Sequence, residues 1–294
     1  MPETIVMKGG HGLPYSKGLM AQSLSAAGLS PERAYELART IESQLPDGEV
    51  EVSALEVIAA EVLREHEGDE AVRRFGEWQR LDRLDLPPIV LLAGAPGVGK
   101  STLASLLAAR LGIHRVIATD AIRHVIRAFF SRELMPFAHY SSFEAARALD
   151  PDELEGGDPD ITAFMRQAQT VRTGVMAIVD RACQEGTPMV VEGVHLVPGL
   201  INGELRDRCV PIHAVLTVAD EELHRGHFSL RGGERPADRY LDRFAQIRKL
   251  QDHLVTRAEA RGVPVIDNAS IDSALAQAMT LVLDSIGGVG SSRR

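Results

Sequence analysis

The stretch GAPGVGKST, residues 94–102, decides the fold of this chain. It follows the apolar run IVLLA and precedes LASLLAARL, so we expect a buried strand before it and a helix after it. The spacing from Gly94 to Gly99, Lys100 and Ser101 is that of a phosphate loop, whose backbone N–H groups and following helix N-terminus hold a phosphate. The flanking strand and helix are the context that this motif requires. The sequence therefore predicts a nucleotide-binding α/β domain.

The side chains of this loop have separate predicted tasks. Lys100 should reach the β- and γ-phosphates of ATP, and Ser101 should bind Mg²⁺. The glycines permit backbone turns that a Cβ atom would block. We predict that the nucleotide is held by Gly94, Ala95, Pro96, Gly97, Val98, Gly99, Lys100, Ser101 and Thr102.

Two acidic residues end later apolar runs: Asp120 ends RVIATD, and Glu192 ends MVVE. Because ligands of open parallel sheets bind at the carboxyl ends of strands, both carboxylates should face the phosphate loop. Asp120 can accept the proton of an attacking hydroxyl or orient that hydroxyl, with helix capping as the alternative. Arg123 would hold an acidic substrate or the transferring group, and Glu192 would hold Mg²⁺ or its water. His195 either contacts the substrate or lines the loop.

From residue 87 onward, apolar strands alternate with helices. Strands rich in Val and Ile in such an alternation predict a parallel sheet covered by helices on both faces. The fold class is therefore α/β, with a five-stranded parallel sheet in a domain over residues 87–286 and a flexible tail at 287–294. We expect the strands at 89–94, 115–120, 188–193, 212–219 and 263–267.

Residues 1–86 have a different pattern and predict a small, mainly helical domain. A short strand and a glycine-rich turn open it. Ser30 precedes a proline and an apolar stripe, so it should cap a helix. Ser53 and Glu56 have the spacing of a capping box for the next helix. Pro87 stops a third helix and marks the boundary between the domains.

The composition limits the classes of function. The chain has 294 residues, a net charge of −9 and 45% hydrophobic residues, which is typical of a soluble globular protein and argues against a nucleic-acid binder. No apolar run is long enough to span a bilayer, no secretion signal is apparent, and two distant cysteines make no disulfide framework. We therefore expect a cytoplasmic protein with no membrane or nucleic-acid partner.

The segment EELHRGHFSLRGGERPADRY, residues 221–240, carries several arginines beside a Gly-Gly pair. Arginines next to a glycine hinge predict a mobile lid that closes over phosphates and excludes water. Since the chain has only four lysines, arginines must supply most of the remaining positive charge at an anion site. We place Arg231 among the nucleotide-binding residues.

With these motifs assembled, residues 89–286 resemble the 2-phosphoglycerate kinase family of phosphate-loop small-molecule kinases. The phosphate loop itself is general to that superfamily. The runs HYSSFEA (139–145), EGVHLVPG (192–199), RKLQDHLV (248–255) and VPVIDN (263–268) carry the more specific resemblance.

The resemblance implies ATP-dependent phosphorylation of the 3-hydroxyl of 2-phosphoglycerate, which gives 2,3-bisphosphoglycerate. Asp120 and Arg123 would lie on the acceptor side, Glu192 near the metal, and Asp267 and Asn268 near the adenine. An acceptor with two anionic groups also needs several cations and hydrogen-bond donors. The predicted acceptor-binding residues are Arg123, Arg127, His139, Ser141, Ser142, Arg166, Glu192 and His195, with Arg172 as a further candidate.

The first domain resembles an ATP-cone, a small nucleotide-binding regulatory module. Up to residue 87 the chain has 9 Lys and Arg against 16 Asp and Glu, so few cations are available for a triphosphate there. The candidates are Lys8, Lys17 and Arg33. The sequence leaves open whether this domain binds nucleotide or has a structural role, including assembly of a homo-oligomer.

Two alternatives to the leading hypothesis stay open. One keeps the kinase but replaces the acceptor by another small anionic alcohol or a nucleoside. The other is a nucleotide-sensing protein that transfers no phosphate. A sensor needs no carboxylate on the acceptor side, so the presence of Asp120 beside Lys100 favours a kinase.

Overall fold

The computed structural model describes residues 4–81, 86–150, 157–201, 205, 207–229 and 237–291. The chain divides into two compact units. The smaller comprises Met1–Leu84 with Ala109–Gly112 and Leu283–Arg294, and the larger comprises Asp85–Ala108 and Ile113–Val282. None of the helices in these described ranges is long and apolar enough to cross a membrane.

Within residues 4–81, the smaller unit has four helices and a three-stranded sheet. The middle strand pairs with one neighbour as an antiparallel hairpin and with the other in parallel, so the strand order is β2-β1-β3. The helices pack their apolar faces around Leu37, Ile41 and Leu63. The elements are β1 (Ile5–Lys8), β2 (His11–Pro14), α1 (Lys17–Ala26), α2 (Pro31–Gln44), β3 (Glu49–Glu51), α3 (Val52–Glu67) and α4 (Asp69–Leu81).

Helix starts in this unit confirm one sequence prediction and correct another. The Ser30 hydroxyl accepts a hydrogen bond from the Arg33 backbone N–H at 3.3 Å, so Ser30 caps α2 as predicted. The capping box at Ser53 was a wrong prediction, because α3 already begins at Val52 and its N-cap, Glu51, makes no side-chain capping bond. The short strand β3 occupies the residues just before α3.

The larger unit is built on five parallel strands in the order β5-β6-β4-β7-β8, which confirms the predicted sheet. The central strand β4 is buried along its whole length, as an apolar run in a sheet covered on both faces should be. The strands are β4 (Pro88–Gly94), β5 (Val116–Ala118), β6 (Met189–Glu192), β7 (Val210–Thr217) and β8 (Val265–Asp267).

Helices lie between or after these strands, and two 3₁₀ segments lie between the second and third of the helices. The helices are α5 (Lys100–Leu111), α6 (Thr119–Phe129), α7 (Pro159–Gln184), α8 (Glu221–Ser229), α9 (Ala237–Leu241), α10 (Phe244–Glu259) and α11 (Ile271–Ser291), and the 3₁₀ segments are Pro136–His139 and Ser142–Ala148.

Two element boundaries differ from the sequence prediction. The strand expected at 115–120 ends at Ala118, and the chain turns into α6 at Thr119, so Asp120 lies in the first turn of a helix. The last helix was expected to end at residue 286 but continues to Ser291.

Candidate active site

One cavity lies at the carboxyl ends of strands β4, β5 and β6. Parallel strands bring these ends to the same edge of the sheet, where ligands of such folds bind. Lys100, Asp120 and Glu192, predicted from three separate segments, therefore meet in one place. The cavity is lined by Pro96, Gly97, Lys100, Ser101, Thr119, Asp120, Arg123, Ser141, Ser142, Phe143, Glu192, Gly193, Val194 and Tyr240.

The phosphate loop connects β4 to α5 and needs its glycines for two reasons. Gly97 and Gly99 each have a φ of +88°, which L side chains rarely adopt. A Cβ atom at Gly97 would collide with the Phe228 ring, and one at Gly99 would collide with the Asn268 amide. The loop is therefore packed tightly on its outer side, and its shape depends on the absence of side chains.

Lys100 begins α5 and is almost fully buried at the loop. Its Nζ donates a hydrogen bond to the Ala95 carbonyl oxygen at 2.7 Å, so the ammonium bends back across the loop. A phosphate in the loop would lie beside this cation and the N-terminus of α5.

Ser101 and Glu192 both line the cavity and are hydrogen-bonded to each other. The Ser101 hydroxyl donates to Glu192 Oε1 at 2.8 Å, across 91 residues of sequence. Glu192 ends β6 and is buried, and the register places it beside Leu92 of β4. A hydroxyl next to a buried carboxylate suits Mg²⁺, which prefers oxygen ligands.

Asp120 faces the cavity from the first turn of α6. It does not cap the helix, because the N-cap is Ala118 and no side chain makes the capping bond. Its Oδ1 accepts a hydrogen bond from Arg123 Nε at 3.1 Å. Burial raises the pKa of Asp120, but the Arg123 guanidinium, with a smaller contribution from Lys100, outweighs burial and holds this pKa below its usual value. The carboxylate is therefore ionised at neutral pH.

Arg123 has a structural contact in addition to its place on the cavity wall. Its Nη1 donates to the carbonyl oxygens of Ala138 and Tyr140, each at 3.0 Å. The guanidinium is buried, and it ties α6 to the segment that carries Ser141 and Ser142. Arg123 thus holds one wall of the cavity in place while its charge faces Asp120.

His195 lies behind the cavity in a buried chain of hydrogen bonds. The Gln167 amide nitrogen donates to the carbonyl of Tyr140 at 3.0 Å, so Gln167 Oε1 must accept from His195 Nε2 at 3.1 Å. His195 Nδ1 then accepts from the Thr119 hydroxyl at 2.8 Å. Burial lowers the pKa of His195 to about 4, which keeps the ring neutral. The sequence left open whether His195 contacts the substrate or lines the loop; the geometry disfavours substrate contact and shows that the ring supports Thr119.

The predicted acceptor residues divide into two groups. Ser141 and Ser142 line the cavity together with Arg123 and Glu192, whereas four other predicted residues contact the protein elsewhere. His139 Nε2 donates to the Phe130 carbonyl, Arg166 lies over the Phe137 ring, Arg172 Nε donates to the Leu200 carbonyl, and Arg127 is exposed on α6. The geometry does not favour these four as acceptor ligands.

The remaining nucleotide residues lie at or near the loop, with one exception. Asn268 was predicted near the adenine, and its Nδ2 donates to the Val98 carbonyl oxygen at 2.9 Å. Asp267 Oδ1 accepts from the Ala219 backbone N–H at 2.9 Å. Thr102 is exposed in the first turn of α5. Arg231 lies outside the described residues, as do the other residues at 230–236 of the predicted lid (221–240).

Sequence reasoning missed several side chains at this cavity, among them Thr119 and Val194. Phe143 and Tyr240 line it, and their ring centroids are 5.3 Å apart. Arg239 Nη2 donates to the Ser141 hydroxyl at 3.2 Å and also contacts Glu144. For Arg239 and Tyr240, the available signal was the segment DRY (238–240), just before α10. This segment carries no motif that separates it from an ordinary solvated helix end.

In the smaller unit, two of the three candidate cations are already paired. Lys17 Nζ lies 2.7 Å from Glu42 Oε1, and Arg33 Nε lies 2.6 Å from Glu67 Oε1. A phosphate would have to compete with these carboxylates for the two cations. The pairing disfavours a triphosphate site built on these two side chains.

Curated relatives cover nearly the whole chain. It is 39% identical over 277 residues to the 2-phosphoglycerate kinase of Methanopyrus kandleri, which covers 92% of this chain and 84% of that protein. It is 36% identical over 288 residues to the 2-phosphoglycerate kinase of Methanocaldococcus jannaschii, which covers 96% of this chain and 92% of that protein. The similarity thus extends across both compact units.

No protein-family model matches the chain. Among solved structures, the shikimate kinase of Acinetobacter baumannii in complex with shikimate is 15% identical, with a TM-score of 0.38 over 71% of this chain and 97% of that protein.

Proposed function

The chain belongs to the 2-phosphoglycerate kinase family, and from this premise we propose that it transfers the terminal phosphoryl group of ATP to the 3-hydroxyl of 2-phosphoglycerate. One observation carries the proposal. Lys100, the Ser101–Glu192 pair and the ionised Asp120 line a single cavity at the end of a parallel sheet. That arrangement contains the parts that phosphoryl transfer needs: a cation at the phosphates, metal ligands and a carboxylate on the acceptor side.

The chain's own residues would act mainly by positioning. Phosphoryl transfer has a loose transition state with charge on the transferring oxygens, so little covalent chemistry falls to the protein. Lys100 and the loop N–H groups would hold the β- and γ-phosphates. Asp120 would accept a hydrogen bond from the 3-hydroxyl and align it with the γ-phosphorus. Its lowered pKa suits an orienting group that stays ionised throughout the reaction.

The acceptor would lie against the wall that carries Ser141 and Ser142. 2-Phosphoglycerate carries its phosphate and its carboxylate on the carbon next to the one that bears the free hydroxyl, so it needs donors for two neighbouring anionic groups. Arg123 and the two serine hydroxyls line the cavity, and Arg239 donates to Ser141 from the neighbouring helix. We assign these four residues to the acceptor.

Mg²⁺ would be held by Ser101 and Glu192, and when bound it neutralises charge on the β- and γ-phosphates. A Glu192→Gln variant should then need a higher Mg²⁺ concentration for half-maximal rate. Glu185→Gln, which alters a surface pair with Arg115, is the matched control and should leave the Mg²⁺ dependence unchanged.

Incubation of the purified protein with Mg-ATP and 2-phosphoglycerate tests the proposal directly. We expect ADP and 2,3-bisphosphoglycerate in equal amounts, separated by anion exchange and identified by phosphorus NMR. Protein that binds ATP but forms no bisphosphoglycerate would contradict the proposed function.

A panel of acceptors sharpens the same experiment. Glycerate lacks the 2-phosphate and 3-phosphoglycerate has its free hydroxyl on the other carbon, so both should give a lower kcat/KM than 2-phosphoglycerate. The rings of Phe143 and Tyr240 also line the cavity, which gives the nucleoside alternative a specific basis. A higher kcat/KM for a nucleoside than for 2-phosphoglycerate would establish that alternative instead.

For the smaller unit we propose an ATP-cone-like fold, over residues 1–86, that no longer binds nucleotide. The carboxylate partners of Lys17 and Arg33 support this assignment. Its role would then be structural, in a cytoplasmic enzyme that forms a homo-oligomer. Sedimentation of the full chain with and without ATP tests both points: we expect an oligomer whose state ATP does not change.

A further inference from the structure

Three side chains contact consecutive backbone carbonyl groups on the outer side of the phosphate loop. His224 Nε2 lies 2.9 Å from the Pro96 carbonyl oxygen, and His227 Nδ1 lies 2.9 Å from the Gly97 carbonyl oxygen. Asn268 Nδ2 donates to the next carbonyl, that of Val98, at 2.9 Å. No carbonyl oxygen can donate a hydrogen bond, so each ring nitrogen at these contacts must carry the proton.

The geometry of the peptide bond gives these contacts a consequence on the opposite side of the loop. In a trans peptide the C=O and the following N–H are held in one plane and point in opposite directions. Among the described residues no peptide bond is cis. Fixing the carbonyls of residues 96, 97 and 98 outward therefore fixes the N–H groups of Gly97, Val98 and Gly99 inward. A hydrogen bond to each carbonyl also polarises the peptide and strengthens its N–H as a donor.

Helix α8 is built to hold its two imidazoles in these positions. Residues three apart lie on the same face of a helix, so His224 and His227 reach adjacent peptides of the loop. His224 is fully buried, and its ring is stacked on Phe228 at a centroid distance of 5.5 Å. Phe228 in turn fills the space where a side chain at Gly97 would lie. The positions of the two rings are thus determined by packing as well as by the hydrogen bonds.

We propose that His224, His227 and Asn268 are positioning residues that orient three consecutive amide N–H groups of the loop toward the nucleotide phosphates. The loop's glycines cannot supply this order themselves, because glycine backbone is the most flexible. An unbraced loop would lose conformational entropy on binding phosphate, and the three contacts remove that cost in advance. This inference rests on the proposed use of the loop for ATP and on no assumption about the acceptor.

The two histidines use different ring nitrogens, and this allows a matched test. Asparagine places its amide nitrogen where the Nδ1 of histidine lies, and glutamine places its nitrogen where Nε2 lies. His227→Asn therefore keeps the donor to Gly97, whereas His227→Gln displaces it. For His224 the pattern reverses: His224→Gln keeps the donor to Pro96, and His224→Asn removes it. Asn268→Leu removes the third donor at similar volume.

The measurement is the Kd for Mg-ATP by calorimetry in the absence of any acceptor, with KM for 2-phosphoglycerate as a second readout. Each donor-removing variant should weaken ATP binding by about 10-fold, the cost of leaving one hydrogen bond unmade. The donor-keeping variants should stay within about threefold of wild type, and KM for the acceptor should not change. His213→Gln, remote from the loop, is the control for loss of an imidazole.

His227 decides the outcome, because it is only partly buried and its variants should fold. Equal ATP affinity for His227→Asn and His227→Gln, whether both are weakened or neither is, would overturn the proposal, since packing alone does not distinguish the two nitrogens. A protein that shows the predicted ATP pattern but does not phosphorylate 2-phosphoglycerate would contradict the proposed acceptor and leave this inference standing.

Discussion

Both compact units have ion pairs on their surface, but the larger unit also buries charged side chains. In the smaller unit, cations such as Lys17, Arg33 and Arg73 pair with carboxylates on the surface, and each partner stays exposed in part. In the larger unit, charged groups such as Lys100, Arg123 and Glu192 are buried and point to backbone or to one another. Within the described part of the chain, every buried polar side chain falls between residues 100 and 268.

This contrast identifies the unit that performs the chemistry. Burying a polar or charged group costs free energy unless partners compensate it, so a fold keeps such groups where they do something that apolar residues cannot. Exposed ion pairs carry no such cost and contribute little to stability. The four predictions below test the contrast, beginning with the largest expected effect.

Lys100→Met removes the buried ammonium at the loop and should lower kcat/KM for ATP by about 10³-fold, because a cation beside the transferring phosphoryl group is lost. Lys17→Met is the matched control in the smaller unit and should leave kcat/KM unchanged. Steady-state kinetics with both variants checks the difference. Similar losses in the two variants would contradict the division of roles between the units.

Asp120→Asn removes the acceptor-side charge with little change in shape. We expect kcat to fall about 10²-fold while the Kd for ATP stays the same, because the orienting hydrogen bond matters in the transfer step and not in nucleotide binding. Asp180→Asn, which breaks a surface pair with Arg208, is the control. If kcat is unchanged in Asp120→Asn, this carboxylate takes no part in the reaction.

Acid should destabilise the larger unit through its buried histidines. Burial lowers the pKa values of His195 and His213 to about 4, below the value of about 6.5 for an unfolded histidine. As the pH falls below 6.5, the two histidines become protonated in the unfolded chain, whereas in the folded chain they stay neutral until about pH 4. The free energy of unfolding should fall across that range, by up to about 3 kcal/mol for each histidine.

Urea unfolding at pH 7 and pH 4.5 measures this loss, and His213→Gln should reduce it while keeping a donor for the Leu196 carbonyl. Hydrogen exchange at the same two pH values should show more acid-induced opening at β6 and β7 than at α2. The described histidines of the smaller unit, His11 and His66, are exposed. An unchanged pH dependence in His213→Gln would show that this ring does not contribute.

The double variant Lys17→Gln, Arg33→Gln should have the smallest effect. Both cations are paired at the surface, so we expect ATP affinity and kcat within about twofold of wild type. Calorimetry should give one ATP per chain, and none in the Lys100→Met background. A second site that survives Lys100→Met and disappears in the double variant would show that the smaller unit binds nucleotide after all.

The sequence was sufficient to predict those elements and site residues whose signals lie in one continuous stretch of the chain. The phosphate loop, β4 and α5 follow from one run of residues, and Glu192 follows from its place at the end of an apolar strand. The pairing of Ser101 with Glu192 was also predictable, because the topology of a parallel sheet brings strand ends together.

The rest depends on contacts that only the folded chain brings together. Arg127, Arg166 and Arg172 lie on amphipathic helices, and the sequence could not show which helical positions face the cavity. Tyr240 reaches the cavity because its ring is stacked on Phe228 at 5.1 Å, and no local pattern records that. The Ser53 capping box matched in spacing, but the pairing of β3 with β1 set an earlier helix start.

The carbonyl oxygen of Tyr140 accepts two hydrogen bonds, one from Arg123 and one from Gln167. Both lone pairs are used, and the donors come from two helices, α6 and α7. These bonds form a frame that holds the backbone just before Ser141 and uses neither serine side chain. Exchanging Ser141 or Ser142 should alter which anion fits while the frame stays intact, so this wall is a natural starting point for changing acceptor preference by engineering or by divergence.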